Sequence, residues 1–134
     1  MSSSLSNQKD IIKSFVEDIF NKHDSAIEKY FAKENPSIGG GSTGFRQSLI
    51  DLFRAFPDIH AKIEHIIAEN DLVVVFLNFT GTHKGEFHGL QPTNKLVNIR
   101  SADLYRVVDE LIAEHWDVVD QLDLLHQTDA INFK

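Results

Sequence analysis

The order of the hydrophobic patterns along the chain is the feature that most constrains its fold. Apolar residues recur at helical spacing over about residues 7–22 and again from Phe45 to Phe56, whereas runs rich in β-branched residues follow Ile59. Polar loops of two to four residues favour antiparallel pairing between successive runs. The sequence therefore indicates an α+β domain in which helices cover one face of a strand meander. The four predicted strands are Ala61–Ala68, Leu72–Thr82, Leu96–Val108 and Leu111–Leu122.

The helix ends carry local signals. Ser6 or Asn7 is suited to cap the first helix, and the Ser25–Glu28 spacing is that of a capping box for a short second helix that stops before Asn35-Pro36. The third helix is expected to run until Pro57.

Size and composition predict one domain over residues 1–134, because 42% hydrophobic and 25% charged residues are ordinary for a folded core. The glycines of Gly39–Gly41 are too few to separate two domains and predict a loop, conceivably at a pocket mouth.

The charge balance excludes several partners. A net charge of −7 would repel nucleic acid and an anionic membrane surface, and the absence of cysteine excludes disulfides and thiolate metal sites. The N-terminus lacks a basic segment followed by an apolar run, so we expect a cytoplasmic protein with neither a nucleic-acid nor a membrane partner.

Residues 81–95 read GTHKGEFHGLQPTNK, and this segment resembles the GTHxGEFxGxxPTGK signature of SnoaL-like polyketide cyclases. Phe56-Pro57-Asp58, DLYRVVD at 103–109 and IAEHWDVVD at 112–120 extend the resemblance over nearly the whole chain. It implies the nuclear transport factor two-like fold, shared with ketosteroid isomerases: three N-terminal helices on a strongly curved, mainly antiparallel sheet that forms a cone around a pocket. Two positions depart from the family's glycines. Asn94 tolerates a positive φ, whereas Glu110 predicts an altered or strained hairpin turn.

Strand alternation brings the candidate chemistry together. His115 and Asp117 share one face of the last strand, and Asp103 and Tyr105 share one face of the strand before it. An odd-numbered hairpin loop would pair Asp103 with Asp117 and Tyr105 with His115, whereas a two-residue loop would pair Asp103 with Trp116. The first register would crowd two carboxyls and so raise the pKa of one of them.

The resemblance implies that Asp117 is the general base and that His115 belongs to the same site, with Asp103 as a further catalytic candidate. The family has a glutamine and a histidine where this chain has Ser101 and Asp103, so the same aldol chemistry is not assured. As alternatives, Asp117 hydrogen-bonds a neighbouring strand or pairs with Arg100 or Arg106, Asp103 forms a salt bridge to an arginine, and His115 is a satisfied, half-buried imidazole.

We predict neither a metal site nor a cofactor. His83 and His88 flank Glu86, but strand alternation puts the two imidazoles on opposite faces.

The expected ligand is a small hydrophobic or aromatic molecule. The predicted contact residues are Tyr105, Ser101, Ile99, Phe76 and Phe15. The runs Val73–Leu77 and Ile112–Val119 are apolar on both faces, which predicts a covering layer on the outer face of the sheet, supplied by a homodimer.

Three functions follow from these patterns. The first is a cofactor-independent cyclase or isomerase-type enzyme for a polyketide-like carbonyl compound, with Asp117 as base and His115 or Tyr105 stabilising the enolate. The second is a non-catalytic binding protein that uses the same pocket, and the third is an interaction module that uses an exposed outer sheet face.

Overall fold

A computed structural model describes residues 2–24, 27–32 and 41–131 of the chain. Its elements in chain order are α1 (Ser2–Phe15), a π-helical segment (Val16–Asn21), a 3₁₀ turn (Ile27–Lys29), α2 (Gly41–Ala55), β1 (His60–Glu69), β2 (Leu72–Thr82), β3 (Leu96–Val108), β4 (Leu111–Val119) and α3 (Gln121–Gln127).

The four strands form one antiparallel sheet in the order β1-β2-β3-β4, as the predicted meander requires. The sheet is curved and unclosed, and its inner face packs against α1 and the π-helical segment, which confirms the α+β class. Alternate residues of β2, at Val73, Val75 and Leu77, are almost completely buried in this core. In the described part of the chain, no helix is long and apolar enough to cross a membrane.

The first helix begins at Ser2, so the prediction of a cap at Ser6 or Asn7 is wrong. Its final turns widen into the π-helical segment, whose end is fixed to β1 by Asn21. The Asn21 side chain donates to the carbonyl of Ala61 at 3.0 Å and accepts from the N–H of Ala61 at 2.7 Å. This pair of hydrogen bonds fixes where the first helix meets the sheet.

The second predicted helix is a single 3₁₀ turn, after which Phe31 bridges to Ile112 of β4. Ser25 and Asn35-Pro36 lie outside the described residues. The helix predicted from Phe45 begins earlier, at Gly41, so one of the three loop glycines is helical, and the other two lie outside the described residues.

A helix follows the sheet as well as preceding it. Strand β4 ends at Val119 rather than Leu122, and α3 begins after Asp120, whose side chain accepts from the N–H of Asp123. Of the three α-helices in the described ranges, two precede the sheet, which corrects the prediction of three N-terminal helices. The helical run is only seven residues long, so its periodicity is too short to separate it from the preceding strand.

The β3–β4 hairpin combines a two-residue turn with a β-bulge. Asp109 and Glu110 have φ of 51° and 67°, the pattern of a type I′ turn, and Glu110 is thus in the strained conformation expected for a residue replacing glycine. The bulge leaves Ala113 unpaired, so Asp103 faces Asp117 despite the short turn. Neither simple register alternative described this combination.

Candidate functional site

A cavity of about 270 Å³ lies between the inner face of the sheet, α2 and the start of α3. Most of its wall is apolar and much of it is aromatic. The aromatic wall residues are Phe20, Phe45, Phe56, Phe79 and Phe87. Such a wall suits a flat hydrophobic molecule, with orientation supplied by the few polar groups on the remaining surface.

The polar end of the cavity is formed by alternate residues of β3 and β4. The cross-strand pairs are Asp103 with Asp117 and Tyr105 with His115. Asp103, His115 and Asp117 each offer one nitrogen or oxygen atom, and these three atoms lie within 4.8 Å of one another. The strand register thus brings together all three predicted catalytic residues.

Asp103 is a buried carboxyl with only 4% of its surface exposed. The Tyr105 hydroxyl donates to its Oδ2 at 3.2 Å, and the buried Ser101 hydroxyl also favours the charged form of this carboxyl. Burial and, second, the charge of Asp117 raise the pKa of Asp103 to about 7, although the hydroxyls of Tyr105 and Ser101 oppose the shift. A substantial fraction of Asp103 is therefore protonated at neutral pH.

His115 is buried between aromatic rings. Its imidazole stacks on Tyr105, with ring centroids 4.7 Å apart and an interplanar angle of 9°, and it meets Phe45 edge-on. Burial lowers the pKa of His115 to about 4, against the opposing charge of Asp117. The imidazole is therefore neutral at pH 7.

Asp117 differs from its two neighbours because it is solvent-exposed while also lining the cavity. Nearby arginines have other partners: Arg106 pairs with Asp71 and Glu114, each at 2.7 Å, and Arg100 lies 3.9 Å from Asp120. None of the ion pairs in the described ranges includes Asp117, which lines the cavity.

The chemistry of the cluster also suits a divalent transition metal, because two carboxylates and an imidazole are common ligands for such ions. The histidines of the Gly81–Lys95 segment lie apart from this cluster. His83 is fully buried, with Nδ1 3.1 Å from Thr93 Oγ1, whereas His88 is exposed.

The predicted ligand-contact residues separate into three groups. Ser101 and Ile99 line the cavity, and Tyr105 lies behind its wall, where it contacts Asp103. Phe15 packs in the core, 5.6 Å from the Tyr105 ring, rather than on the cavity wall. Phe76 lies on the outer face of the sheet and is 43% exposed, so its assignment to the pocket is corrected.

Sequence reasoning missed the wall that α2 and α3 contribute. Ser48, Leu49 and Leu52 of α2 and Gln121 and Leu124 of α3 all face the cavity. The apolar stripe that predicted α2 was the available signal for its share of the wall, but a stripe does not distinguish core contact from cavity lining.

Comparison with known proteins identifies relatives of this fold. Residues 10–128 match the family model described as SnoaL-like polyketide cyclase. AclR from Streptomyces galilaeus, described as a candidate hydroxylase, is similar at 28% identity, with 97% of this chain and 85% of that chain covered and a TM-score of 0.85. IdmH from Streptomyces antibioticus, described as a candidate polyketide cyclase, is 26% identical, with coverage of 91% and 98% and a TM-score of 0.78.

TsrD from Streptomyces laurentii, at 22% identity, shares the fold with a TM-score of 0.84 over 94% of this chain and 97% of its own. No curated protein matches the chain.

Proposed function

The chain belongs to the SnoaL-like polyketide cyclase family, and from this we propose that it is a cofactor-independent cyclase or isomerase for a small hydrophobic, polyketide-like carbonyl compound. The observation that supports this most directly is the pairing of an accessible carboxylate, Asp117, with a buried carboxyl, Asp103, at the polar end of an aromatic cavity. Two carboxyls in unlike environments are suited to different protonation states and hence to different tasks.

Asp117 acts as the general base. It removes a proton from the carbon next to a substrate carbonyl, and the C–H electrons form the carbon–carbon double bond of an enolate. In a cyclisation, the enolate carbon then attacks a second carbonyl of the same molecule. The new alkoxide recovers the proton held by Asp117, so the reaction needs no external oxidant or reductant.

The aromatic wall contributes by positioning and by excluding water. Phe45 of α2, Phe56 directly after α2 and Phe79 of β2 line the cavity and can hold a flat ring system against the polar end. Electrostatic interactions with the developing enolate are stronger where the surroundings are apolar.

Exchange of α-protons for deuterium tests the base directly. We expect the protein to bind 2-tetralone, a flat bicyclic ketone, and to accelerate its α-deuteration in D₂O above the buffer rate, as followed by NMR. Asp117→Asn should lower the enzymatic rate about 100-fold or more, because the amide cannot accept the proton.

Asp109→Asn is the matched control, since it makes the same chemical change on the same hairpin but at the exposed turn. Its exchange rate should equal that of the unmodified protein. Binding of 2-tetralone with no exchange above buffer would instead support the non-catalytic binding function, for which the departures at Ser101 and Asp103 are the supporting observation.

We also propose that the outer face of the sheet binds a second copy of the chain. Two cross-strand rows on this face are largely apolar. They are Ile67–Val74–Leu104–Trp116 and His65–Phe76–Ala102–Val118. Ile67, Trp116 and Val118 are exposed by 58%, 41% and 73%.

The flanking cross-strand rows contain charged and polar residues, including Arg106 paired with Glu114 on one side and Arg100 beside Asn78 on the other. An apolar centre with a polar rim is the usual anatomy of a protein interface. A two-fold dimer suits it because an uncharged patch is complementary to its own copy.

A further inference from the structure

The π-helical segment supplies one residue to the wall of the cavity. Of the described residues before α2, Phe20 alone lines the cavity. Phe15, which precedes the π-helical segment in the same helical run, packs in the core instead. π turns are rare, and they occur frequently at functional sites. The position of Phe20 in such a turn therefore points to a role for the turn in shaping the cavity.

The backbone of the π-helical segment explains how Phe20 reaches the wall. The N–H of Lys22 donates to the carbonyl of Glu17 at 3.0 Å, and this five-residue spacing is that of a π turn. In a regular α-helix, side chains five residues apart point about 140° away from each other around the axis. A turn closed over five residues brings them to the same side, and the rings of Phe15 and Phe20 lie 5.9 Å apart, edge to face.

Two contacts with the start of the sheet hold the end of this segment. Asn21 forms two hydrogen bonds with the backbone of Ala61, at 2.7 and 3.0 Å. His23 Nε2 lies 2.8 Å from the carbonyl oxygen of Ile59. A return to regular α-helical winding would rotate the end of the segment around its axis and separate Asn21 from Ala61. These contacts therefore stabilise the wider turn that carries Phe20.

Phe20 belongs to the closed part of the cavity. It is 6% exposed, whereas Ser48, His88 and Gln121 on the same wall are exposed. Its ring meets that of Phe79 edge to face at 5.2 Å, which fixes its position against the sheet. The cavity of about 270 Å³ is small beside the roughly 300–1,000 Å³ of most small-molecule sites, so one ring in its closed part decides how large a ligand fits.

We propose that Phe20, held in the wall by the π-helical segment, is a specificity-determining residue that limits the ligand to a short ring system such as a bicyclic ketone. A flat ligand with a further fused ring would overlap the Phe20 ring. The proposal rests on the proposed function for the class of ligand, but it concerns which ligand binds and not the reaction that follows. Asn21 is then a positioning residue, because it acts on the ligand only through Phe20.

Binding selectivity tests the role of Phe20. The probes are 2-tetralone and its linear benzo-fused homologue, a flat tricyclic ketone, and isothermal titration calorimetry measures both dissociation constants. We expect the unmodified protein to bind 2-tetralone more tightly. Phe20→Ala should change the ratio of the two constants about 10-fold or more in favour of the tricyclic ketone, because the vacated space admits the further ring. Phe20→Leu, which retains more of the packing, should shift the ratio in the same direction by less.

Ile19→Ala is the matched control for Phe20→Ala. Ile19 precedes Phe20 in the π-helical segment and is fully buried, but it packs in the core and not on the described cavity wall. Its truncation should lower the melting temperature and leave the selectivity ratio unchanged. An unchanged ratio in folded Phe20→Leu, or an equal shift in Ile19→Ala and Phe20→Ala, would overturn the proposal. Near-ultraviolet circular dichroism identifies the variants that remain folded.

Asn21→Ala tests the π turn without changing the Phe20 ring. Loss of both hydrogen bonds to Ala61 should allow the turn to rewind, so the ratio should again shift toward the tricyclic ketone. Glu17→Ala is its control, because it removes the 2.9 Å hydrogen bond that Asn21 donates within the helical run and leaves those to Ala61. The ratio should not change in this control. An unchanged ratio in Asn21→Ala would overturn the positioning role.

Failure of this proposal differs from failure of the proposed function. Selective binding without α-deuteration of 2-tetralone would contradict the cyclase or isomerase proposal and leave the role of Phe20 intact. Acceleration of α-deuteration, with a ratio that does not respond to Phe20→Ala or Phe20→Leu, would overturn the role of Phe20 and leave the base mechanism intact. An unmodified protein that binds neither ketone would contradict both.

Discussion

On both faces of β3 and β4, some side chains lie in surroundings that do not match their polarity. Toward the helices, the strands bury polar residues, with Asp103 and His115 exposed by only 4% and 6%. Away from the helices, they expose apolar residues, with Trp116 and Val118 exposed by 41% and 73%. Buried polar groups and exposed apolar patches are the informative exceptions in a folded protein, and here adjacent residues provide both.

The two faces differ in how the free-energy cost of these unfavourable placements can be reduced. On the inner face, the cost of burying charge is reduced because burial raises the pKa of Asp103 and lowers that of His115, so both shifts favour the neutral side chain. On the outer face no change of protonation can reduce the cost, because an exposed indole or valine is removed from water only when another surface covers it. The inner face therefore indicates chemistry, and the outer face indicates association.

A charged substitution on the outer face should give the largest effect, because it should disrupt the proposed dimer. Trp116→Glu would oppose like charges across a two-fold contact, so we expect the dimer to dissociate, with its dissociation constant raised about 100-fold or more. Analytical ultracentrifugation should then report the 15.2 kDa mass of one chain instead of twice that mass.

Leu96→Glu is the matched control, because Leu96 is 72% exposed on β3 but lies outside the two apolar rows. It should leave the dimer intact. A monomeric unmodified protein at micromolar concentration would contradict the association and return the outer face to the interaction-module hypothesis.

On the inner face, the titrations of Asp103 and His115 should have opposite effects on the free energy of unfolding, and they can be separated. The folded pKa of Asp103 is raised from 3.8 to about 7, so its contribution to stability is present below pH 3.8 and is lost as pH rises toward 7. The folded pKa of His115 is lowered from 6.5 to about 4, so its contribution is present above pH 6.5 and is lost as pH falls toward 4. Between about pH 4 and 6.5 the two slopes oppose each other.

Removing either group should expose the other slope. Asp103→Asn should make the free energy of unfolding rise with pH across this window, and His115→Gln should make it fall, each by an amount on the order of 3 kcal/mol. Urea unfolding at several pH values between 4 and 7.5 measures both. Variants whose curves run parallel to that of the unmodified protein would show that these groups do not titrate as described.

The sequence was sufficient to predict those features of the two faces that depend on alternation of side chains within one strand. The bounds of β2 and β3 were predicted correctly, and so was the shared face of His115 and Asp117. Phe76 was assigned to the wrong face because every position from Leu72 to Leu77 is apolar, so no alternation marks which side chains point inward.

The hairpin register was beyond the same reasoning. A two-residue turn alone would have paired Asp103 with Trp116, and the bulge at Ala113 restores the pairing with Asp117. Nothing in the run Leu111–Val119 marks Ala113 as the inserted residue, since a bulge is selected by twist and by packing against β3. The cavity walls from α2 and α3 likewise depend on contacts between distant elements.

The smallest expected effect concerns the turn that joins the two strands whose faces differ. Glu110 has φ of 67°, which a side chain with a Cβ adopts at a cost and glycine adopts freely, so Glu110→Gly should stabilise the fold by about 1 kcal/mol. Asn70→Gly is the matched control, because Asn70 has φ of 55° in the β1–β2 turn and asparagine already tolerates that region. Thermal unfolding should show a gain of a few degrees for Glu110→Gly and a smaller one for Asn70→Gly. Because glycine keeps the same turn conformation, the pairing that this turn begins should be retained, and the deuteration rate and the dimer should be unchanged.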